Sequence, residues 1–417
     1  MSAWVKIAIR NIIKNKRRSL YTIIAIALGF AAVNVFGGYT EYMFTSLKNG
    51  FIYNYGNGHL TIFKKGYLEE GKLDPTKFLI KDNELEAIKE IFKGDPRILL
   101  STPKLEVTGL VSNGRVSTIF FANARVPSDI EFIRSKSTGM LAKIKLFDGN
   151  KLADDVPNAV GFSSGLARKL DMRPGDTGTV TSPTIEGMVN AVDIDLYQTF
   201  ESPMAELNDK LIDMNLKLAQ DLYDTTSVGS ITVLLSDTGM TDKVRAYLLG
   251  EFNRTRLEME VKTWEEMSPF YRKVRDMFDV IFLFVFIIVF VIVVMSVVNT
   301  VSMSIMERTR EIGTLRALGL KRAGVVKLFV IESLLMGMVG SLFGLVITLI
   351  VWYAIKVIGP TWVPPHITKS VPLEVFLVPS YLVVSFFSLI ILSALASMAP
   401  ARRASYGKSI VDALGYV

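Results

Sequence analysis

The sequence predicts an integral membrane protein with four transmembrane α-helices and a large α+β extracytoplasmic domain between helices 1 and 2. Three observations predict it. Hydrophobic residues make up 50% of the 417 positions, and they fall in blocks. Four blocks reach the roughly 20 residues that a helix needs to cross a bilayer core of about 30 Å. Between the first and second lies a long polar segment in which β-type and helical periodicities alternate.

The first block is Leu20–Tyr39, and the second, Val280–Val298, carries no charge. The third is Ser333–Ile355, and the fourth is Val375–Ala399, interrupted only by Pro379. In lipid the backbone must satisfy its own hydrogen bonds, so each block is read as a helix. The first follows a basic stretch, as a signal peptide does. It is longer than a usual apolar signal core and has no small-residue cleavage site before a polar start, so a retained anchor is expected.

A net charge of +7 is compatible with nucleic-acid binding, but its placement argues against it. The cations crowd the N-terminus (Lys6, Arg10, Lys14, Lys16, Arg17, Arg18), the loop after the second block (Arg308, Arg310, Arg316, Lys321, Arg322) and the tail (Arg402, Arg403, Lys408). Basic loops stay cytoplasmic. Both termini and the 303–327 loop are thus expected inside, and the 41–271 segment and the 359–374 loop outside. No cysteine is present, so the outer segment must hold its fold by its own core.

Within residues 2–18, Trp4, Ala8 and Ile12 recur at helical spacing with Ile7 beside them. The segment reads either as an amphipathic helix at the headgroup level or as a solvated basic tail. In the outer segment "GHLTIF", "EVTGLVS", "VSTIFFANAR" and "SITVLLS" read as strands. "DNELEAIKEIF" reads as a helix capped by Asp82 or Asn83, and "MTDKVRAYLLGEF" as another helix. The stretch of about 126–227 interrupts the pattern, which suggests two subdomains, one inserted in the other. From Trp264 onward a charged helical stretch leads into the second block as a stalk. Gly340 and Gly344 form a small-xxx-small pair, which serves packing within the chain or between two chains.

Two motifs suggest chemistry without completing it. "GFSSG" (Gly161–Gly165) matches a nucleophile elbow with Ser163 as nucleophile, but its base would have to be His366, in the short external loop. The competing reading makes Ser163 a polar N-cap of "SGLARKL". "GKS" (Gly407–Ser409) resembles the end of a phosphate-binding loop, but Arg402 stands where the first glycine is required. With His59 and His366 as the two imidazoles and no cysteine, no catalytic transition-metal site is expected.

The charged stretch Met303–Arg322 lies between two apolar blocks. Ile305, Ile312 and Leu315 fall on one helical face. Glu307 with Arg310, and Arg308 with Glu311, sit at i,i+3. Gly319 suits a helix-ending position. On these grounds alone it is either a short amphipathic helix at the cytoplasmic surface or a solvated loop that sets topology.

The run "NTVSMSIMERTREIGTLRALGLKRAGVVKLFVIESLLMGMVGSLFG" (Asn299–Gly344) resembles the FtsX-like, MacB-type permeases of ABC transporters, which include lipoprotein-releasing and macrolide-efflux permeases. "AIRNIIKNKRRS", "GFSSGLARKLDMRPGDTGTV" and "APARRASYGKSIVDAL" resemble the family's N-terminal elbow, part of its outer domain and its C-terminal end. The resemblance implies a cytoplasmic elbow helix at 1–18, spans at 19–41, 325–358 and 375–399, a periplasmic domain at 42–271 and a stalk with the second span at 272–304. It implies a coupling helix at 305–322, an external loop at 359–374 and a cytoplasmic tail at 400–417. Coupling to an ATPase would fall to Glu307, Arg308, Arg310, Glu311, Ile312, Leu315, Arg316, Leu318 and Gly319. Glu332 is also family-like, though a partnership with nearby Lys327 or Arg322 accounts for it equally.

The implied protein is not an enzyme and holds no cofactor; ATP and Mg are bound by a partner, a cytoplasmic ABC ATPase dimer. The other implied partners are a second permease copy or a sister permease, membrane lipid, and a periplasmic carrier or adaptor. The implied location is a bacterial inner membrane. By mechanotransmission, substrate would move outward from the inner membrane or periplasm. Lipoprotein release is favoured by "GNGHLTIFKKGYLEEG" and "VKTWEEMSPFY"; efflux of small molecules or peptides and regulation of a cell-wall hydrolase are the alternatives.

Overall fold

The computed structural model describes residues 3–71, 74–138, 147–202, 205–362 and 371–407. His366, Lys408 and the rest of the tail, including most of "GKS", lie outside the described residues. The chain divides into two compact units, one of residues 1–44, 274–361 and 372–417, the other of 45–273 and 362–371.

In chain order, α1 (Ala3–Lys14) and α2 (Lys16–Asn49) lead through a π-helical turn (Gly50–Asn54) to β1 (Leu60–Lys64). Then come α3 (Tyr67–Glu70), α4 (Pro75–Phe78), α5 (Asp82–Phe92), β2 (Ile98–Ser112), β3 (Ser117–Arg125) and α6 (Pro127–Ser135). Next are β4 (Phe147–Gly149), β5 (Ala159–Ser163), α7 (Ser164–Lys169), β6 (Thr177–Pro183), β7 (Val189–Phe200), β8 (Leu211–Asn215) and α8 (Leu216–Tyr223). β9 (Ser230–Leu235), α9 (Thr241–Thr255) and β10 (Met259–Thr263) complete this α+β part. The long helix α10 (Pro269–Glu307) follows, then α11 (Thr309–Ala317), α12 (Arg322–Ile358) and α13 (Pro379–Gly407).

The α+β unit has two parts that share one strand. β1, α5, β2 and β9, α9, β10 form two interleaved β-α-β halves, with strand order β10-β1-β9-β2 and every neighbour antiparallel. Between β2 and β9 the chain inserts β3–β8. These strands close a circuit, β2-β3-β8-β5-β7-β6 and back to β2, so the sheet curls into a small barrel. Alternate side chains fill it: Val107, Val111, Phe120, Ala122, Val160, Phe162, Val180, Leu196, Ile212 and Met214 are all buried. Glycines permit the closure. A Cβ on Gly109 would lie 2.2 Å from the Thr181 carbonyl oxygen, and one on Gly178 would lie 2.8 Å from that of Ser112. Within the 126–227 stretch β6 thus pairs with β2 and β8 with β3, both of which precede it, so its strands share that sheet rather than forming one of their own.

The α5 helix begins at Asp82, with Lys81 in the cap position. Neither Asp82 nor Asn83 caps it. Glu84 reaches back to accept the Lys81 N–H at 2.9 Å, one half of a capping box, and Asp82 instead accepts from the Thr226 hydroxyl at 2.7 Å.

His59, fully buried, joins β1 to its neighbours. Its backbone N–H donates to Val233 O at 2.8 Å and its carbonyl accepts from Trp264 N at 2.9 Å. Its Nδ1 accepts from Leu235 N at 3.1 Å, which puts the ring proton on Nε2, facing Thr238 Oγ1 at 2.9 Å. Burial therefore holds its pKa down from 6.5 to about 4, with Asp237 opposing the shift and Lys48 adding to it.

In the helical unit, α2, α10, α12 and α13 are each long and apolar enough to cross a membrane. Helix α2 is the hub. Gly29 lets it meet Val289 of α10, and Gly340 and Gly344 of α12 leave room for Ile26 and Phe30. The small-xxx-small pair therefore packs within the chain. A Cβ on Gly38 would lie 2.2 Å from Phe376 O, and Phe376 N donates to Gly38 O at 3.0 Å, so the segment before α13 is fixed to α2 backbone to backbone. Hydroxyls and amides join the apolar helices: Thr22 and Thr300 meet at 2.6 Å, and Asn34 donates to Ser385 at 2.8 Å.

Candidate functional site

The charged loop contains a helix set off from α10 by a single residue. Arg308 has φ −111° and ψ 17°, outside helical values. The Thr309 hydroxyl donates to the carbonyls of Ile305 and Met306 at 2.9 and 3.1 Å, satisfying the end of α10. The other end of α11 is a Schellman motif: Gly319 sits at φ +100°, its N–H meets Arg316 O at 3.1 Å, and Leu320 N meets Leu315 O at 3.0 Å.

Thr309, Ile312 and Gly313 are buried, and this face packs onto the core of the helical unit. Leu315 does not share it and is 39% exposed. The face runs i, i+3, i+4, which turns position 315 away. Leu318, 80% exposed, projects farther still, and Arg310 is exposed. Ile305 is partly buried against the same core as Ile312.

The acidic residues face inward, toward the N-terminal helices. Glu307 pairs with Arg18 at 2.6 Å rather than with Arg310. Glu311 takes Lys14 at 2.8 Å and Arg308 at 3.1 Å, and these cations, Lys14 foremost, hold its carboxyl below the usual range. Arg308, 6% exposed, also reaches Glu332 at 3.1 Å and stacks over Phe329, 5.8 Å from the ring centroid. Glu332, 5% exposed, accepts from Asn11 at 2.5 Å as well. It thus pairs with Arg308 and Asn11 rather than with Lys327 or Arg322; Lys327 lies over Trp4 instead. The reason is steric position: Glu332 lies on the face of α12 that α1 covers, beside Asn11 and Ile12.

This also relocates the N-terminal amphipathic face. Ala8 is fully buried, with Trp4 and Ile12 half-buried, on a helix that packs on α12. Ile7 stays 45% exposed. The residues missed from sequence are Asn11, Lys14 and Arg18. Their spacing of three and four, which is helical although α1 ends at Lys14 and Arg18 lies on α2, is the signal that would have found them. Beside Glu332 lies a cavity of about 20 Å³ lined by Asn11, Asn15, Ser19, Thr300 and Ser304, room for roughly one water.

Ser163, by contrast, is fully buried, with ordinary backbone angles. Its Oγ exchanges two bonds with the Leu211 backbone, donating to the carbonyl at 3.1 Å and accepting from the N–H at 3.2 Å. It ties β5 to β8 and does not cap α7. Among the described residues no His, Cys, Asp and Glu cluster suits a metal ion.

Residues 283–408 match the family model described as FtsX-like permease C-terminal. An uncharacterised ABC transporter permease of Methanocaldococcus jannaschii is 38% identical over 61 residues, 15% of each chain. The macrolide export ATP-binding/permease protein MacB of Escherichia coli K12 is 29% identical over 107 residues, 26% of this chain and 15% of that protein. Matches to these two relatives thus span 15% of their length. The uncharacterised ABC transporter permease YknZ of Bacillus subtilis is 21% identical over 362 residues, 82% of this chain and 84% of that one. Four apolar helices, an α+β domain between the first two, and the matched segment covering the α10–α13 region together support a permease of the FtsX/MacB type.

Proposed function

We propose that the chain is the membrane subunit of an ABC transporter driven by a separate cytoplasmic ATPase dimer, which binds the ATP and Mg. The observation that carries this is α11: a short helix between two spans, tied inward by ion pairs and presenting Leu315, Leu318 and Arg310 outward. Exposed leucines flanked by an arginine suit a protein partner, because apolar anchors supply affinity and charge sets register. The ATP-binding/permease name of the E. coli relative supports an ATPase as that partner.

In this reading the basic termini and α11 lie in the cytoplasm, and the α+β domain lies outside a bacterial inner membrane. Closure of the ATPases displaces α11, and the motion passes outward by mechanotransmission through α10, which runs unbroken from Pro269 to Glu307. Substrate moves outward from the membrane or periplasm, with lipoprotein release as the first reading. Export of small molecules is the second, supported by the macrolide export named for the E. coli relative.

Affinity purification of the tagged chain in mild detergent, with mass spectrometry of proteins and lipids, tests this. Wild-type chain is expected to retain an ATPase, and the double variant Leu318→Asp, Arg310→Glu to lose it by about tenfold or more, as for removal of an interface anchor. A variant that keeps the full amount, or a wild type that retains none, refutes the docking role. Acylated protein in the eluate supports release; a co-purifying adaptor supports export.

A further inference from the structure

The separation of α11 from α10 comes without a helix-breaking residue; the local contribution is the Thr309 hydroxyl, which takes the Ile305 and Met306 carbonyls. From Ser304 to Ile312 the sequence is "SIMERTREI", without proline or glycine, and most of these residues favour a helix. Helical hydrogen bonds still run through this point, from Arg308 N to Ser304 O at 3.2 Å and from Ile312 N to Arg308 O at 2.9 Å, so a small change separates it from one continuous helix. The Arg308 side chain is anchored on both sides of this point. The guanidinium is shared between Glu332 of α12, through Nη1 at 3.1 Å, and Glu311 of α11, through Nε at 3.1 Å. Glu332 is in turn bound by Asn11 of α1 at 2.5 Å.

We propose that Glu332 is the positioning residue of a two-state joint. With the Glu332–Arg308 pair closed, α11 is set at an angle to α10 and moves with α1 and α12; with it open, α10 and α11 merge into one straight helix.

Three observations support a joint rather than a mere brace. Both partners are nearly excluded from water, and a buried ion pair contributes little net stability compared with apolar packing, so its value lies in fixing one arrangement among several. The neighbouring cavity, where Asn11, Asn15 and Ser304 meet Ile12, Val301 and Met336 beside Glu332, has room for about one water, which can serve the carboxylate when the pair parts. The remaining ties, Lys14–Glu311 and Arg18–Glu307, are between exposed groups and yield readily. The inference rests on the coupling reading of α11, since the joint decides which spans feel a push on that helix.

The absence of cysteine makes the test direct. Spin labels at Met303→Cys and Ala317→Cys bracket the joint, and their separation is read by pulsed electron resonance on the detergent-solubilised full chain without any ATPase. A straight helix places the two Cα atoms about 21 Å apart along its axis. Wild type is expected to give a shorter distance. Glu332→Gln keeps the shape but removes the charge, and is expected to shift the distribution toward the straight value. The exchange Arg308→Glu with Glu332→Arg is expected to restore the wild-type distance, which a simple packing role would not do. If Glu332→Gln yields no folded chain, Arg308→Lys replaces it, because an ammonium cannot span both carboxylates. An unchanged distribution in the neutral variant, or a failed restoration in the exchange, overturns the joint. Loss of ATPase retention in the Leu318 variant alone bears on the docking surface and leaves these distances untouched.

Discussion

Acidification should loosen the α+β unit through one residue. His59 has a folded pKa of about 4 against 6.5 when unfolded. The unfolded chain therefore binds the proton first, so stability is complete above pH 6.5 and is lost as the pH falls toward 4. The full difference corresponds to about 3 kcal/mol, and lowering the pH from 7 to 5 removes about 2 kcal/mol of it. The physical cause is specific. A proton on Nδ1 expels the Leu235 N–H from its acceptor and places a charge in a fully buried site between β1 and β9. Native-state hydrogen exchange on the full chain in detergent, corrected for the intrinsic pH dependence, should show the amides of Leu60–Phe63 and Ile231–Leu235 opening more easily by that amount at pH 5. In His59→Asn the amide oxygen can still accept from Leu235 but does not titrate, and the pH dependence should flatten. Asp129, whose pKa burial raises, titrates in the opposite sense and cancels in this comparison. An identical slope in wild type and variant would refute the reasoning.

Two substitutions probe the barrel. Gly109→Ala places a methyl against the Thr181 carbonyl and should part β2 from β6, at a cost on the order of 3 kcal/mol, seen as a lower denaturant midpoint. Ser163→Ala leaves the Leu211 backbone groups without their side-chain partner and should cost about 1–3 kcal/mol by the same measurement; a neutral result would deny it the tie between β5 and β8.

The spans were legible because a bilayer imposes a length and a composition that no other environment demands. Strands β1, β2, β3 and β9 were legible from alternation and β-branched residues. Barrel closure was not, since it depends on β6 meeting β2 across residues far apart in sequence, and the permissive glycines carry no local signature. The charged helix was readable as a helix, with Gly319 as its end. Of its expected pairings, Arg308 with Glu311 forms at 3.1 Å, but Glu307 with Arg310 does not, because i,i+3 logic assumes isolation. Glu307 found Arg18 and Glu332 found Arg308 across the bundle, where packing outranks local spacing. Leu315 was read onto one face with Ile305 and Ile312, but the buried face of α11 runs through Thr309, Ile312 and Gly313, which turns position 315 outward.

The shared strand β2 has a kinetic consequence. Residues 98–104 pair with β9 and residues 104–112 with β3, so one spine runs through both parts of a single hydrophobic core. Neither part can melt without exposing the other's edge, and the whole should open as a single cooperative block rather than as two foldons. During synthesis the first half of β2 must wait more than a hundred residues for its partner, although the hairpin with β3 forms at once. The barrel can therefore nucleate early on the far half of a strand whose near half is still an unpaired edge, and that edge is where misassembly between nascent copies would begin.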